Sequence, residues 1–104
     1  MVSLKGVTKT RRPAEIVSRR LAKHWGRMIA GRRTTLGMSQ GELAGRLRTS
    51  QTTVSRYEIG RTLPADAVKV LVACSLGLTP GDLFPWPALE DLLEDLPWDE
   101  GSAA

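Results

Sequence analysis

Cysteine and histidine are each represented once in this chain of 104 residues. Cys74 alone cannot close an internal disulfide, and with His24 as the single imidazole a transition-metal site has almost no ligands to draw on. No run reaches the ~18 apolar residues of a membrane span. The basic N-terminal residues are not followed by the apolar core of a secretory signal, so a cytoplasmic location is expected. No arrangement of side chains makes a credible nucleophile and base pair. Neither an enzyme nor a cofactor is therefore expected. Length excludes two independent cores, since a domain takes about 100 to 200 residues.

Charge is present but unevenly spread. All fifteen Lys and Arg precede residue 70, while six of the eleven acids follow residue 85. Residues 1–85 thus set fifteen bases against five acids, a net +10, and the last 19 residues carry −6. A basic body of this kind suits a polyanion, because Lys and Arg contacts to phosphates release condensed counterions. The remaining composition, 41% apolar and 25% charged, is that of a foldable soluble domain.

Three regions follow along the chain. Residues 1–12 hold Lys5, Lys9, Arg11 and Arg12 without a periodic apolar face, and read as a flexible basic arm. Residues 13–85 carry helical periodicity. Pro13 suits a first helical turn, and Val17, Leu21, Trp25, Met28, Ile29 and Leu36 share one side of a helix interrupted by Gly26 and Gly31. Gly37 stops it, and Ser39-Gln-Gly-Glu42 is a capping-box pattern that opens a short helix over 40–47 with Leu43, Ala44 and Leu47 inward. Ser50 caps a further helix over 51–58, whose inward side is Val54, Tyr57 and Glu58 and whose outward side is Gln51, Thr52, Ser55 and Arg56. Joined by three residues, these two helices must cross steeply. After Gly60 and Pro64 a helix over 65–76 is expected, with Val68, Leu71, Val72 and Leu76 as core, and Thr79-Pro-Gly-Asp82 caps a short helix that buries Leu83 and Phe84. Residues 86–104 form an acidic tail in which Leu89, Leu92, Leu93 and Leu96 lie on one arc opposite Glu90, Asp91, Glu94 and Asp95, a short amphipathic helix bounded by prolines.

The segments Met38 to Leu47, Gln51 to Glu58, Gly60 to Pro64 and Leu76 to Pro80, over about residues 21–84, resemble the helix-turn-helix domain of Cro- and cI-type phage repressors and related XRE-like bacterial regulators. The match includes small Ala44 at the helix crossing, β-branched Val54 ten residues later, and Glu58 before a glycine-containing exit. The resemblance implies an all-α, compact five-helix, lambda-repressor-like domain followed by the short C-terminal amphipathic helix. It also implies a sequence-specific regulator of transcription, of the repressor type, acting on double-stranded DNA in a bacterial cell or phage-infected host.

A reader of this kind fits its second helix into a major groove about 12 Å wide, with polar side chains near the N-terminus. Gln51, Thr52, Ser55 and Arg56 are then the base-reading candidates, and Gln40, Ser50, Arg61 and Thr62 the candidates for contact with the sugar-phosphate backbone. The resemblance implies a brace from Gln40 to Gln51 and an Arg33–Glu58 ion pair that ties the first helix to the recognition helix. Lys5, Lys9, Arg11 and Arg12 either wrap the duplex, as the arms of some phage repressors do, or form a free tail. Arg48 stands where the family favours glycine, so the turn is either strained or altered, and Gly41 and Gly45 weaken the helix between.

Such domains act as homodimers on palindromic sites, because one helix reads too few bases. The face of Trp86, Leu89, Leu92, Leu93, Leu96 and Trp98 is left with three uses: a dimer surface, packing on its own domain, or docking of another protein. The last would suit the alternative function, an antitoxin or adaptor that works through its acidic, leucine-rich tail over residues 86–98.

Overall fold

Pro13, whose φ is already near the helical value, occupies the first position of α1 (Pro13–Thr35) in the computed structural model, which describes residues 12–97. α1 runs unbroken across Gly26 and Gly31. It is followed by α2 (Gln40–Leu47), α3 (Gln51–Glu58), α4 (Asp66–Ser75), α5 (Pro80–Leu83) and α6 (Leu89–Leu93), and the described residues contain no strand. The all-α reading with five helices and a short sixth is therefore the architecture observed. α3, α5 and α6 pack along α1, while α2 packs against α3 and α4, and α4 against α5, around a core of Leu21, Trp25, Ile29, Leu43, Val54, Val72, Leu76 and Leu83.

Local chemistry sets the ends of these helices. The Ser39 hydroxyl accepts the Glu42 N–H at 3.0 Å, and the Glu42 carboxylate accepts the Ser39 N–H at 3.1 Å. The bonds from the Ser39 backbone, and then from its hydroxyl, hold the Glu42 carboxyl below its ordinary range. This lock contributes stability above that range and loses it as acid titrates the carboxyl. The turn after α2 keeps the left-handed geometry despite lacking glycine: Arg48 sits at φ 55°, ψ 46°. Its N–H reaches the Gly45 carbonyl at 3.2 Å and the Thr49 N–H reaches Ala44 at 3.0 Å, the two bonds of a Schellman closure. The strained alternative is thus the one realised.

At Gly26, α1 touches the end of α3 backbone to backbone. A Cβ there would stand 2.4 Å from the Tyr57 carbonyl oxygen and 2.6 Å from that of Glu58. Gly60 returns the contact, at φ +76° with a Cβ position 2.7 Å from the Lys23 Cα. Gly26 is therefore a packing requirement, whereas Gly31 has open space around its Cβ position.

Three sequence expectations need correction. Leu71 is exposed, because α4 is apolar on both sides and hydropathy could not tell which one faces inward. Leu36 lies just past the end of α1 and is also exposed. The leucine arc of the tail is split: α6 stops at Leu93, Asp95 turns through φ 52°, and Leu96 swings back to be buried with Leu92, while Leu89 and Leu93 stay exposed. The segment is seated on α1 by Arg20, whose Nη1 donates to the carbonyls of Leu92 and Glu94 at 3.0 and 2.7 Å, and by the Trp25 Nε1–H, which donates to the Pro85 carbonyl at 2.7 Å.

These geometries fix the signs of three substitutions. Gly26→Ala should lower stability by about 1–3 kcal/mol through overpacking, although alanine is the better helix former, while Gly31→Ala should gain up to about 1 kcal/mol. Thermal unfolding of the pair checks this, and equal shifts would remove the argument for a close crossing. Arg48→Gly should raise stability by up to about 1 kcal/mol, or several degrees in Tm, while Arg48→Ala, which retains the strain, should not.

Candidate nucleic-acid interface

Helix α3 is too short to be stable alone and depends on its caps and its packing. The Ser50 hydroxyl accepts the Thr53 N–H at 3.1 Å and pairs with the Thr53 hydroxyl at 2.9 Å. At the other end the N–H groups of Arg61 and Thr62 both reach the Arg56 carbonyl, at 2.9 and 3.3 Å. Fully buried Val54 and partly buried Tyr57 hold the inner side to the core. With the helix so fixed, Gln51, Thr52 and Arg56 are exposed and Ser55 is half-buried, forming an outward polar row.

Gln40, Gln51, Thr52, Ser55, Arg56 and Arg61 line one shallow surface cleft. All four base-reading candidates and two of the four backbone candidates are thereby gathered in one place. Ser50 and Thr62 lie exposed at the two ends of α3, and the Ser50 hydroxyl is engaged as its cap. Ile59, also exposed, completes the cleft and was passed over in the sequence. Its signal was there, a large aliphatic residue before Gly60 that fits no core period. Its aliphatic side chain adds an apolar contact beside the polar row.

The cations of the cleft, Arg56 and Arg61, face no carboxylate across it. Glu58, the one acid of α3, is turned behind the helix, where Arg33 grips it with both prongs: Nε to Oε2 at 2.6 Å and Nη2 to Oε1 at 2.9 Å. Only 12% of the Arg33 side chain and 5% of the Glu58 side chain remain exposed. The bond to Glu58 holds the Arg33 pKa above its already high ordinary value, against the opposing effect of burial. Arg33 Nη1 also donates to the Met38 carbonyl at 2.7 Å, and the Gln40 amide donates to Glu58 Oε1 at 3.0 Å. Gln40 therefore braces α3 through Glu58, at its far end, and not through Gln51 as the resemblance implied. The reason is electrostatic, because a carboxylate is a stronger acceptor than a neutral amide.

Against this geometry, the sequence matches a family model described as a helix-turn-helix domain over residues 19–94. The chain belongs to the XRE-like helix-turn-helix family. It is a DNA-binding transcriptional regulator of that family. Its structure is similar to the crystal structure of the clp gene regulator ClgR from Corynebacterium glutamicum, with a TM-score of 0.59 and 25% identity over 69% of this chain and 71% of that one. A comparison with curated proteins finds none that matches.

Other predicted positions are distributed around this regulator's body. Arg12 is exposed immediately before α1, while Lys5, Lys9, Arg11 and Trp98 lie outside the described residues. Of the proposed tail face, Leu92 and Leu96 are withdrawn into the domain's own core and cannot serve a second molecule; Trp86, Leu89 and Leu93 remain exposed. Trp86 nevertheless stacks edge-on against Trp25, with ring centroids 5.3 Å apart. Close packing does not account for Gly41 or Gly45, whose Cβ positions have nothing closer than 3.8 Å. Among the described residues no group of His, Cys, Asp and Glu could hold a metal, and no helix is long and apolar enough to cross a membrane.

The ion pair makes a sharp prediction. Arg33→Ala should cost on the order of 3–5 kcal/mol, because it strands a carboxylate taken out of water. Adding Glu58→Gln should restore a substantial part of that loss. Chemical denaturation of the single and double variants measures the coupling, and additive effects would show that the pair contributes little.

Proposed function

We propose that the protein is a repressor-type regulator that reads operator DNA in the major groove with α3. The observation that carries this reading is the row Gln51, Thr52, Ser55 and Arg56 on the outer side of a helix held rigidly from behind, in a cleft with Arg61 and free of carboxylates. Gln51 has both a donor and an acceptor for an adenine edge, and Arg56 has the fork that fits guanine O6 and N7. Gln40, Ser50, Arg61 and Thr62 set the register on phosphates, with their contribution independent of sequence. Lys5, Lys9, Arg11 and Arg12 supply further counterion release as an arm along the duplex. ClgR is described as a gene regulator, and the likeness to it supports the same class of activity for this chain.

Because one such helix reads few bases, the regulator works as a homodimer on an inverted repeat with half-sites about 34 Å apart. Access to DNA places it in the cytoplasm of a bacterial or phage-infected cell. Its exposed residues Trp86, Leu89 and Leu93 leave room for a protein partner, as the adaptor or antitoxin reading requires.

Selection of bound duplexes from a random pool at two salt concentrations tests the proposal. An inverted repeat should emerge, and Gln51→Ala or Arg56→Ala should each cost about 1–3 kcal/mol and relax one position of the site. Arg61→Ala should weaken binding evenly across sequences and reduce the salt slope by about one. Uniform binding that vanishes with added salt would instead mark a purely electrostatic binder.

A further inference from the structure

Helix α4 is apolar on opposite sides. Val68, Val72 and Ala73 face the core, while Ala67, Val70, Leu71 and Cys74 are all exposed, Val70 by 53% and Leu71 by 55%. The exposed four stand at i, i+3, i+4 and i+7, one continuous stripe along the helix. The only charges on α4 are Asp66 at its start and Lys69, whose ammonium lies 4.0 Å over the Trp25 ring and 3.5 Å from the Asp66 carboxylate, which itself stays exposed. A helix that is apolar all round is ordinarily buried all round. Among the described residues, nothing covers the outer stripe.

We propose that this stripe joins two copies of the chain, packed antiparallel about a two-fold axis that passes between Val70 and Leu71. The inference deepens the dimer reading given above and rests on it. In this register Val70 of each copy meets Leu71 of the other, and Ala67 lies opposite Cys74, small against small, so the helices approach closely. Charge selects the direction. The exposed Asp66 carboxylate marks one end of the stripe, and the other end carries Arg46, whose Nη1 donates to the Ser75 carbonyl at 3.0 Å. Antiparallel pairing brings each Asp66 toward the other copy's Arg46, whereas parallel pairing sets like charge against like. Such self-complementarity is what a two-fold contact requires of a surface.

Position agrees with chemistry. α4 follows the recognition helix through residues 59–65, so a seam at α4 links the two units that carry α3. Four side chains from each copy bury less than the roughly 1,200 Å² of a stable interface. The free protein is accordingly a concentration-dependent dimer, and adjacent half-sites on DNA strengthen the pairing.

Sedimentation velocity of the full chain across a wide micromolar range tests the seam. Leu71→Glu should weaken self-association at least tenfold while leaving thermal unfolding unchanged, and Leu89→Glu should leave both unchanged. The converse result, dissociation by Leu89→Glu alone, moves the dimer surface to the tail and overturns this proposal without touching the dimer reading. A wild-type chain that stays monomeric at every concentration and binds DNA as single copies overturns both. Cross-linking tests the register independently. Under mild oxidation Ala67→Cys, with native Cys74 retained, should give a covalent dimer, because positions 67 and 74 face each other. The wild-type chain should give none, since its two Cys74 residues lie about 10 Å apart along the axis. No cross-link in the variant, or an efficient one in the wild type, overturns the antiparallel arrangement.

Discussion

The rest of the structure depends on the crossing of α1 over the end of α3. The eight-residue α3 has no stability of its own in water, and its orientation comes from what lies behind it. Here that support is backbone against backbone at Gly26, reinforced beside it by Gly60 and locked by the Arg33–Glu58 pair. The contact works because glycine removes the side chain that would hold the helices apart. The ion pair works because both charges are shielded from water and each prong of the guanidinium is used. Gln40 and the Met38 carbonyl join the same network, so the start of α2 and the end of α3 are referenced to one point on α1.

That arrangement also sorts charge by depth. The single acid of α3 is consumed behind the helix, which leaves Arg56 and Arg61 as the charges of the outer cleft. A phosphate backbone approaching α3 therefore meets cations and hydrogen-bonding groups without an opposing carboxylate. Elsewhere, Arg20 is bound to the tail, and Arg32 and Arg46 each donate to a carbonyl at the end of α4. The net charge of the body thus overstates what a polyanion would find free.

Much of this was legible in the sequence because it is written in local chemistry. Ser39 with Glu42, Ser50, and Thr79 with Asp82 mark helix starts through side-chain bonds made within four residues, and the bounds of α2 and α3 follow from them. The polar row of α3 was legible for the same reason, since spacing alone puts Gln51, Thr52, Ser55 and Arg56 on one side. Features decided by contacts distant in sequence were not. Leu71 satisfies a core period yet points outward, because α4 offers two apolar sides and only the shape of the assembled domain chooses between them. Gln40 turned to Glu58 instead of Gln51 because the strongest acceptor within reach is known only once α1 and α3 have crossed. The leucines of the tail satisfied one helical arc, but the backbone turn at Asp95 ended that arc and folded Leu96 back.

The seat of the tail has an evolutionary consequence. Arg20 and Trp25 hold it through the carbonyl oxygens of Leu92, Glu94 and Pro85, and every residue type presents a carbonyl. These anchors are blind to side-chain identity and specify only the path of the chain. With Leu92 and Leu96 kept as inward pegs and Trp86 kept against the Trp25 ring, the remaining outward residues can drift freely. Descendants of this protein could acquire a new surface on residues 86–95 without first having to rebuild the means by which that segment is attached.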